Sequence, residues 1–178
     1  QAAGEDVYDV LLAEMPAQPT DLLVLPHFAP TGPPYYDDDA RGLIAGLTLE
    51  TTRGEFIKGL LEGVTYYFRD GLERMAEAGI TIDEYRATGG GARSDAWLQI
   101  KADILNRPLV RVRITEAGAL GAAVLAGIGA GVYTSAEEAI TTLVKIDRVF
   151  EPDPDRVRAY DERFAKYHLL YPFCQSLY

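Results

Sequence analysis

The chain has 178 residues, and 48% of them are hydrophobic, which is enough to bury the core of one domain or of one lobe of a larger protein. Its formal net charge of −10 opposes nonspecific binding to nucleic acid or to an anionic membrane. The single cysteine excludes an internal disulfide and a Cys-x-x-Cys metal pair, and the start of the chain has no basic segment typical of a signal peptide, so we expect a cytoplasmic protein.

A short helix, two short strands and one long loop are predicted before the first long helix. A helix is expected over residues 4–15, and a buried strand over residues 21–26, because that apolar run is bounded by prolines. Residues 27–42 form an irregular loop that contains three prolines and three successive aspartates. Long loops of this kind are often functional. A second strand is expected over residues 43–50.

A capping box predicts where the first long helix begins. The Thr52 hydroxyl can accept from the Glu55 amide while the Glu55 carboxylate reaches back to the Thr52 amide. The helix is expected to end near Ala78, with Gly79 as its C′ residue. Apolar side chains recur every three or four residues, and this predicts one buried stripe formed by Phe56, Leu60, Val64, Phe68, Leu72 and Met75.

Strands alternate with helices in the second half of the chain, which favours an α/β fold. A strand over residues 84–88 precedes three glycines, and Ser94 is expected to cap a helix over residues 95–106. Another strand is expected over residues 109–115. The buried side of the helix is predicted to be Trp97, Ile100, Ile104 and Leu105.

The uncharged segment 117–133 has two interpretations. Its length is at the lower limit for a membrane span, but most of it is Ala and Gly, so we favour a buried helix. Gly118, Gly121 and Ala122 share one helical face, which we expect to pack tightly behind the glycine loop.

The end of the chain is expected to be mostly helical. A short helix follows Thr134 or Ser135, and residues 145–154 form a strand or an extended arm. A last helix is expected from Pro154 to about residue 170, because Asp before a proline is a strong helix start.

Three glycines, Gly89, Gly90 and Gly91, lie between the strand over residues 84–88 and the helix capped by Ser94. Backbone without side chains can lie against a flat base or a phosphate, and the first amides of a helix add donors. A tight turn would need only one glycine. The pattern therefore indicates a nucleotide-binding loop that comprises Gly89, Gly90, Gly91, Ala92 and Ser94.

A dinucleotide-binding loop is an alternative interpretation, with an oxidoreductase as the corresponding function. The pattern G-x-G-x-x-G matches at Gly89 and Gly91, but Ser94 occupies the third glycine position. The acidic residue that should follow the next strand, Glu116, lies beyond the usual interval of about 20 residues.

Several segments together resemble the C-terminal lobe of the FGGY carbohydrate kinases, the family of xylulokinase and glycerol kinase. They are PPYYDDDARG, GLT, GGGARS, DILNRP and EAGALGAA, and they occur in the family's order. The resemblance covers residues 21–171. It implies a ribonuclease-H-like (actin-like ATPase) lobe with a mixed sheet and flanking helices, present here in incomplete form.

The resemblance also implies the chemistry. Such kinases transfer the γ-phosphate of MgATP to a hydroxyl of a sugar or polyol. Gly89, Gly90, Gly91 and Ala92 correspond to the loop that holds the adenosine, and Ser94 corresponds to a position that faces the nucleotide. The sugar-binding N-terminal lobe, the catalytic aspartate and most of the magnesium site are expected in a longer protein that contains residues 1–178.

Catalytic and metal-binding residues are therefore not expected in this chain, and the chain alone is expected to be inactive. ATP or ADP and a sugar or polyol are the expected partners, a homodimer is left open, and a noncatalytic kinase-like scaffold is a third function class. Asp37, Asp38 and Asp39 are interpreted as a solvated loop rather than a Mg²⁺ site, and His27 as a loop or interface residue. Arg93 either approaches a phosphate or is solvated.

Overall fold

A computed structural model describes residues 6–178 of the chain. The helices are α1 (Val7–Ala13), α2 (Arg53–Glu77), α3 (Asp95–Leu105), α4 (Ala117–Gly129), α5 (Ala136–Leu143), α6 (Pro154–Tyr167) and α7 (Leu170–Gln175). The strands are β1 (Leu23–Leu25), β2 (Leu43–Ala45), β3 (Tyr85–Ala87), β4 (Leu109–Val112) and β5 (Ile146–Phe150). The predicted start of the first helix at residue 4 lies outside the described residues.

The chain divides into two compact units. The first comprises the described residues up to Ile82, with Asp103–Asn106 and Pro152–Tyr178. The second comprises Asp83–Ala102 and Arg107–Glu151.

In the first unit, β1 and β2 form an antiparallel pair against which α2 and α6 pack. The prediction of a strand up to residue 50 is wrong beyond Ala45. Gly46 has a φ of +92°, which is left-handed backbone that ends the strand, and Leu49 after it is fully exposed.

The buried face of α2 differs from the predicted apolar stripe. Four residues of the predicted stripe, Phe56, Val64, Phe68 and Met75, are exposed. The buried residues are Gly54, Lys58, Gly59, Glu62, Gly63, Thr65, Tyr66 and Asp70. The reason is close backbone approach, because a Cβ on Gly63 would lie 2.3 Å from the Val24 carbonyl oxygen. The periodicity of apolar residues therefore indicates the wrong side of this helix.

The polar residues on the buried face of α2 have partners. Lys58 Nζ donates to the carbonyls of Pro16, Ala17 and Gln18 at 2.7–3.1 Å. Glu62 accepts from the Thr20 hydroxyl at 2.6 Å and from the Tyr160 hydroxyl at 2.9 Å. Burial lowers the pKa of Lys58 and raises the pKa of Glu62.

The second unit is a mixed α/β arrangement. β3 and β4 are parallel, and β5 pairs with β4 in antiparallel register. One face of this sheet carries the core formed by Leu98, Ala102, Leu109 and Phe150, against which Tyr85 and Ala87 pack. Of the predicted buried side of α3, Ile100 and Ile104 are buried and Trp97 and Leu105 are half-buried, while Leu98 was missed.

The predicted starts of α2, α5 and α6 and the stop at Gly79 are confirmed. Thr52 and Glu55 form the capping box, and Gly79 has a φ of +83° at the end of α2. Ser135 caps α5 and Asp153 caps α6, which begins at Pro154. The last predicted helix is two helices, since α6 ends at Tyr167 and α7 begins at Leu170.

The expectation that the small-residue face of α4 is tightly packed is wrong for this chain. Gly118, Gly121 and Ala122 are exposed, and a Cβ built on either glycine meets no atom within 4 Å. Val124 is the buried residue of this helix. No helix within residues 6–178 combines the length and the apolar character that a membrane span requires.

Candidate functional site

The glycine loop lies where the carboxyl ends of the two parallel strands meet. After β3, the Gly89 amide donates to the Thr115 carbonyl at 2.7 Å, which ties this turn to the one that follows β4. A 3₁₀ turn over Gly90–Arg93 then leads to Ser94, whose hydroxyl accepts from the Trp97 amide at 3.2 Å and caps α3. Ligands of α/β sheets bind at this end of parallel strands.

The three glycines have three different environments. Gly89 has a φ of +79°, which side-chain-bearing residues rarely adopt. Gly90 has no such constraint, and a Cβ there would meet no atom within 4 Å. Gly91 lies against Trp97, because a Cβ there would be 2.7 Å from the indole ring. Of the three glycines of this loop, Gly90 is the one that has neither a left-handed φ nor a neighbour within 4 Å of a Cβ among the described residues.

Trp97 is the support of this loop that the sequence pattern did not indicate. Its ring lies under Gly91, and the Lys101 ammonium lies 4.2 Å from the ring centroid on the next turn of α3. Burial lowers the pKa of Lys101. Trp97 was predicted only as a buried residue of the helix, because no periodicity relates an aromatic residue to a glycine before the helix begins.

Arg93 forms a salt bridge instead of being only solvated. Its guanidinium donates to the Glu116 carboxylate at 2.9 Å, and both side chains are largely exposed. The pair joins the glycine loop to the N-terminal end of α4. Because exposed pairs contribute little to stability, either side chain can exchange this partner for a ligand at low cost.

Hydrogen bonds within the chain hold the aspartate run in its loop. Asp37 accepts from the Tyr171 hydroxyl at 2.7 Å and from the Asp39 amide at 2.9 Å, and these bonds lower the pKa of Asp37. Within residues 6–178, no group of three or more His, Cys, Asp or Glu side chains is arranged to hold a metal ion. The residues described here therefore do not by themselves fit Mg²⁺.

His27 is buried, with 2% of its surface exposed, and it lies among tyrosine rings. The ring centroids of Tyr35, Tyr67 and Tyr171 are 5.1–5.5 Å from the imidazole. Neither imidazole nitrogen has a hydrogen-bond partner within the described part of the chain. His27 therefore supports the long loop from within and does not present a nitrogen to a ligand.

Comparison with known proteins shows which family this chain resembles in sequence. The sequence profile of the "FGGY family of carbohydrate kinases, C-terminal domain" matches residues 1–130. The chain belongs to the FGGY family of carbohydrate kinases. This membership confirms the resemblance inferred from the sequence segments.

Individual members of the FGGY family are similar over most of the chain. The xylulose kinase of Staphylococcus epidermidis is 33% identical over 156 residues, which are 88% of this chain and 32% of the relative. The structure of the xylulose kinase from Rhodospirillum rubrum matches 99% of the chain and 36% of its own length, at 32% identity and a TM-score of 0.77. The structure of Plasmodium falciparum glycerol kinase with ADP matches 93% of the chain and 34% of its own length, at 25% identity and a TM-score of 0.74.

The chain thus spans about a third of the length of the FGGY kinases that it matches.

Proposed function

We propose that this chain is the ATP-binding part of the C-terminal lobe of an FGGY carbohydrate kinase. The complete kinase would transfer the γ-phosphate of ATP to a hydroxyl of a sugar or polyol, as a xylulose kinase-like enzyme. The observation that carries the proposal is the open face at Gly90, at the carboxyl ends of two parallel strands, in a chain of this family. The ribonuclease-H-like (actin-like ATPase) lobe is part of the same proposal.

In this proposal, the glycine loop holds the adenosine of ATP. The purine and the ribose lie against the backbone of Gly89 and Gly90, where no Cβ holds them away. Trp97 supports the opposite side of the loop at Gly91. The Ser94 hydroxyl is occupied as an acceptor by the Trp97 amide, so its proton remains available for donation to the nucleotide.

The remaining chemistry is assigned to parts of the kinase outside this chain. Phosphoryl transfer needs a metal ion on the phosphates, a base for the attacking hydroxyl and a site for the sugar. We propose that the Mg²⁺ ligands, the catalytic base and the sugar-binding residues lie in the two-thirds of the family's length that this chain does not span. The chain alone is then inactive.

Nucleotide specificity tests this proposal. Calorimetry on the full-length kinase that contains this chain is expected to show ADP binding that NAD at equal concentration does not reduce, together with ATP-dependent phosphorylation of D-xylulose or glycerol. NAD binding in competition with ADP would instead favour the dinucleotide interpretation of Gly89 and Gly91. ADP binding without phosphorylation of any sugar or polyol would favour a noncatalytic scaffold.

A further inference from the structure

Helix α3 begins at a residue that two strands hold. Asp95 is the first residue of α3, and it directly follows Ser94 at the end of the glycine loop. One oxygen of the Asp95 carboxylate accepts from Arg111 of β4 at 2.5 Å, and the other oxygen accepts from Arg148 of β5. The N-terminal end of α3 is therefore fixed to the sheet by charged side chains as well as by the apolar core beneath the helix.

Arg111 is the centre of this contact. Its Nη1 donates to Asp95, while its Nε donates to the Asp147 carboxylate at 2.6 Å. The guanidinium carbon lies 5.5 Å from the ring centroid of the core residue Phe150, and the Arg111 side chain is only 17% exposed. Because a guanidinium is planar and its donors point in fixed directions, two carboxylates and a ring fix its orientation. A lysine ammonium has no such fork.

The strand that carries Arg111 also fixes the start of the glycine loop. The Gly89 amide donates to the carbonyl of Thr115, in the turn that follows β4, at 2.7 Å. Arg111 holds the other end of the loop through Asp95. Gly90 lies between these two attachments, where a Cβ would meet no atom within 4 Å. The position of the backbone at Gly90 therefore depends on both attachments to the region of β4.

We infer that Arg111 is a positioning residue for the nucleotide. Through Asp95 it fixes the Ser94 hydroxyl and the backbone at Gly90 in the place where the adenosine contacts them. It acts through Asp95 and is not itself a ligand of the nucleotide. This inference rests on the proposed function, because the ligand is the nucleotide of that proposal.

The exposure of the partners makes a positioning role separable from a role in stability. Asp95, Asp147 and Arg148 are exposed, and exposed ion pairs contribute little to the free energy of unfolding. Misplacement of a binding group by about 1 Å, in contrast, can cost a large factor in rate or affinity. Loss of the Arg111 contacts should therefore affect nucleotide binding more than it affects the melting temperature.

Steady-state kinetics of the full-length kinase test the inference. Arg111→Gln is expected to raise the KM for ATP about fivefold or more, with kcat at saturating ATP within about twofold and the KM for the sugar unchanged. Arg111→Lys is expected not to restore the KM, because an ammonium cannot donate in the two directions of the guanidinium. An Arg111→Gln kinase with an unchanged KM for ATP would overturn the inference, and so would recovery by Arg111→Lys.

Arg86→Gln is the matched control for these variants. Arg86 lies in β3 of the same sheet and donates to the exposed Glu84 carboxylate at 2.7 Å, away from the start of α3. Its loss removes an arginine and a salt bridge without an attachment of the glycine loop, so the KM for ATP is expected to stay the same. An equal rise for Arg86→Gln would assign the effect to net charge and would overturn the inference.

A double-mutant cycle tests whether Arg111 acts through Asp95. Asp95→Asn keeps the shape of the side chain and is expected to raise the KM for ATP as Arg111→Gln does. The double variant is expected to be no worse than the more affected single variant, within about twofold, because both changes break the same contact. Multiplied effects would show separate routes and would overturn the inference. If Arg111→Gln does not fold, Asp95→Asn alone decides, and an unchanged KM for ATP then overturns it.

Calorimetry with ADP separates failure of this inference from failure of the proposed function. An unsubstituted full-length kinase that binds no ADP counts against the proposed function. ADP binding that Gly90→Val weakens and Arg111→Gln leaves unchanged counts against the positioning role of Arg111 alone.

Discussion

At the scale of single residues, Gly91 packs against the ring of Trp97. A Cβ at position 91 would lie 2.7 Å from the indole, which is closer than real Cβ atoms come to other atoms, so the ring or the loop must shift. We predict that Gly91→Ala lowers the free energy of unfolding by about 1–3 kcal/mol.

Fluorescence reports this displacement directly. Trp97 is the single tryptophan of the chain, so a shift of its emission maximum on Gly91→Ala measures movement of that ring. Gly90→Ala is the matched control and is expected to leave both emission and stability unchanged, because its Cβ meets no atom within 4 Å. An unchanged spectrum and unchanged stability for Gly91→Ala would show that the contact is not a constraint.

His27 is a single residue that makes the stability of the chain depend on pH. Burial lowers the pKa of His27 below its usual 6.5, and the carboxylates of Asp37 and Asp70 offset only part of that effect. The unfolded chain therefore binds this proton at higher pH than the folded chain, so stability is lost as the pH falls below about 6.5. We predict that urea unfolding at pH 7 and pH 5 shows this loss, and that His27→Phe reduces it.

His168→Phe is the comparison for that measurement, because His168 is the other histidine of the chain and its side chain is 40% exposed. It is expected to retain the loss of stability between pH 7 and pH 5. A His27→Phe chain that loses as much stability as the unsubstituted chain would contradict the assignment of the effect to His27.

At the scale of elements, the buried polar contacts of helix α2 contribute to the stability of the first unit. Lys58, 3% exposed, donates to three carbonyls and lies 4.0 Å from the Glu62 carboxylate. Removing its ammonium leaves those carbonyls without this donor and leaves the buried Glu62 carboxylate with the hydrogen bonds from Thr20 and Tyr160 but without its nearby cation. We predict that Lys58→Met lowers the free energy of unfolding by about 3–5 kcal/mol, measured by urea unfolding at pH 7.

Lys145→Met is the comparison for that measurement. Lys145 is exposed and donates to one carbonyl, that of Thr141, so a change within about 0.5 kcal/mol is expected. A Lys58→Met chain as stable as Lys145→Met would mean that the buried network contributes no net stability.

Local signals in the sequence predict where a helix begins better than they predict which face of the helix is buried. Capping residues act through neighbours in the chain, so Thr52, Ser94 and Asp153 were predicted correctly. The buried face of α2 depends on Gly63 meeting the backbone of Val24, a contact between residues far apart in sequence that periodicity does not encode.

The candidate site was predictable only in part for the same reason. The glycines and the Ser94 cap are local, and the structure places them together after β3. The support from Trp97 and the link from Arg93 to Glu116 depend on how the helix and the second turn meet the loop. The role of Gly89, Gly90, Gly91, Ala92 and Ser94 in nucleotide binding remains a proposal.

At the scale of the whole molecule, the proposed adenosine loop lies in this chain while the proposed catalytic groups lie outside it. A chain that spans about a third of its family's length holds the proposed adenosine loop without the proposed base, metal ligands and sugar site. Transfer requires these groups to be held together around one nucleotide. We predict that the isolated chain phosphorylates neither D-xylulose nor glycerol in a coupled ADP-release assay, whereas the full-length kinase phosphorylates one of them. Turnover by the isolated chain would contradict this division.

In the proposed function, ATP lies against the backbone at Gly90. In the full-length kinase, Gly90→Val is expected to raise the KM for ATP about tenfold or more, because the branched side chain occupies the proposed position of the nucleotide. Gly71→Val, at another open glycine, is the control and is expected to leave that KM unchanged. Since Gly90 lacks the left-handed φ found at Gly89, the fold should tolerate the change, and melting curves check this. A folded Gly90→Val kinase with an unchanged KM for ATP would contradict the account.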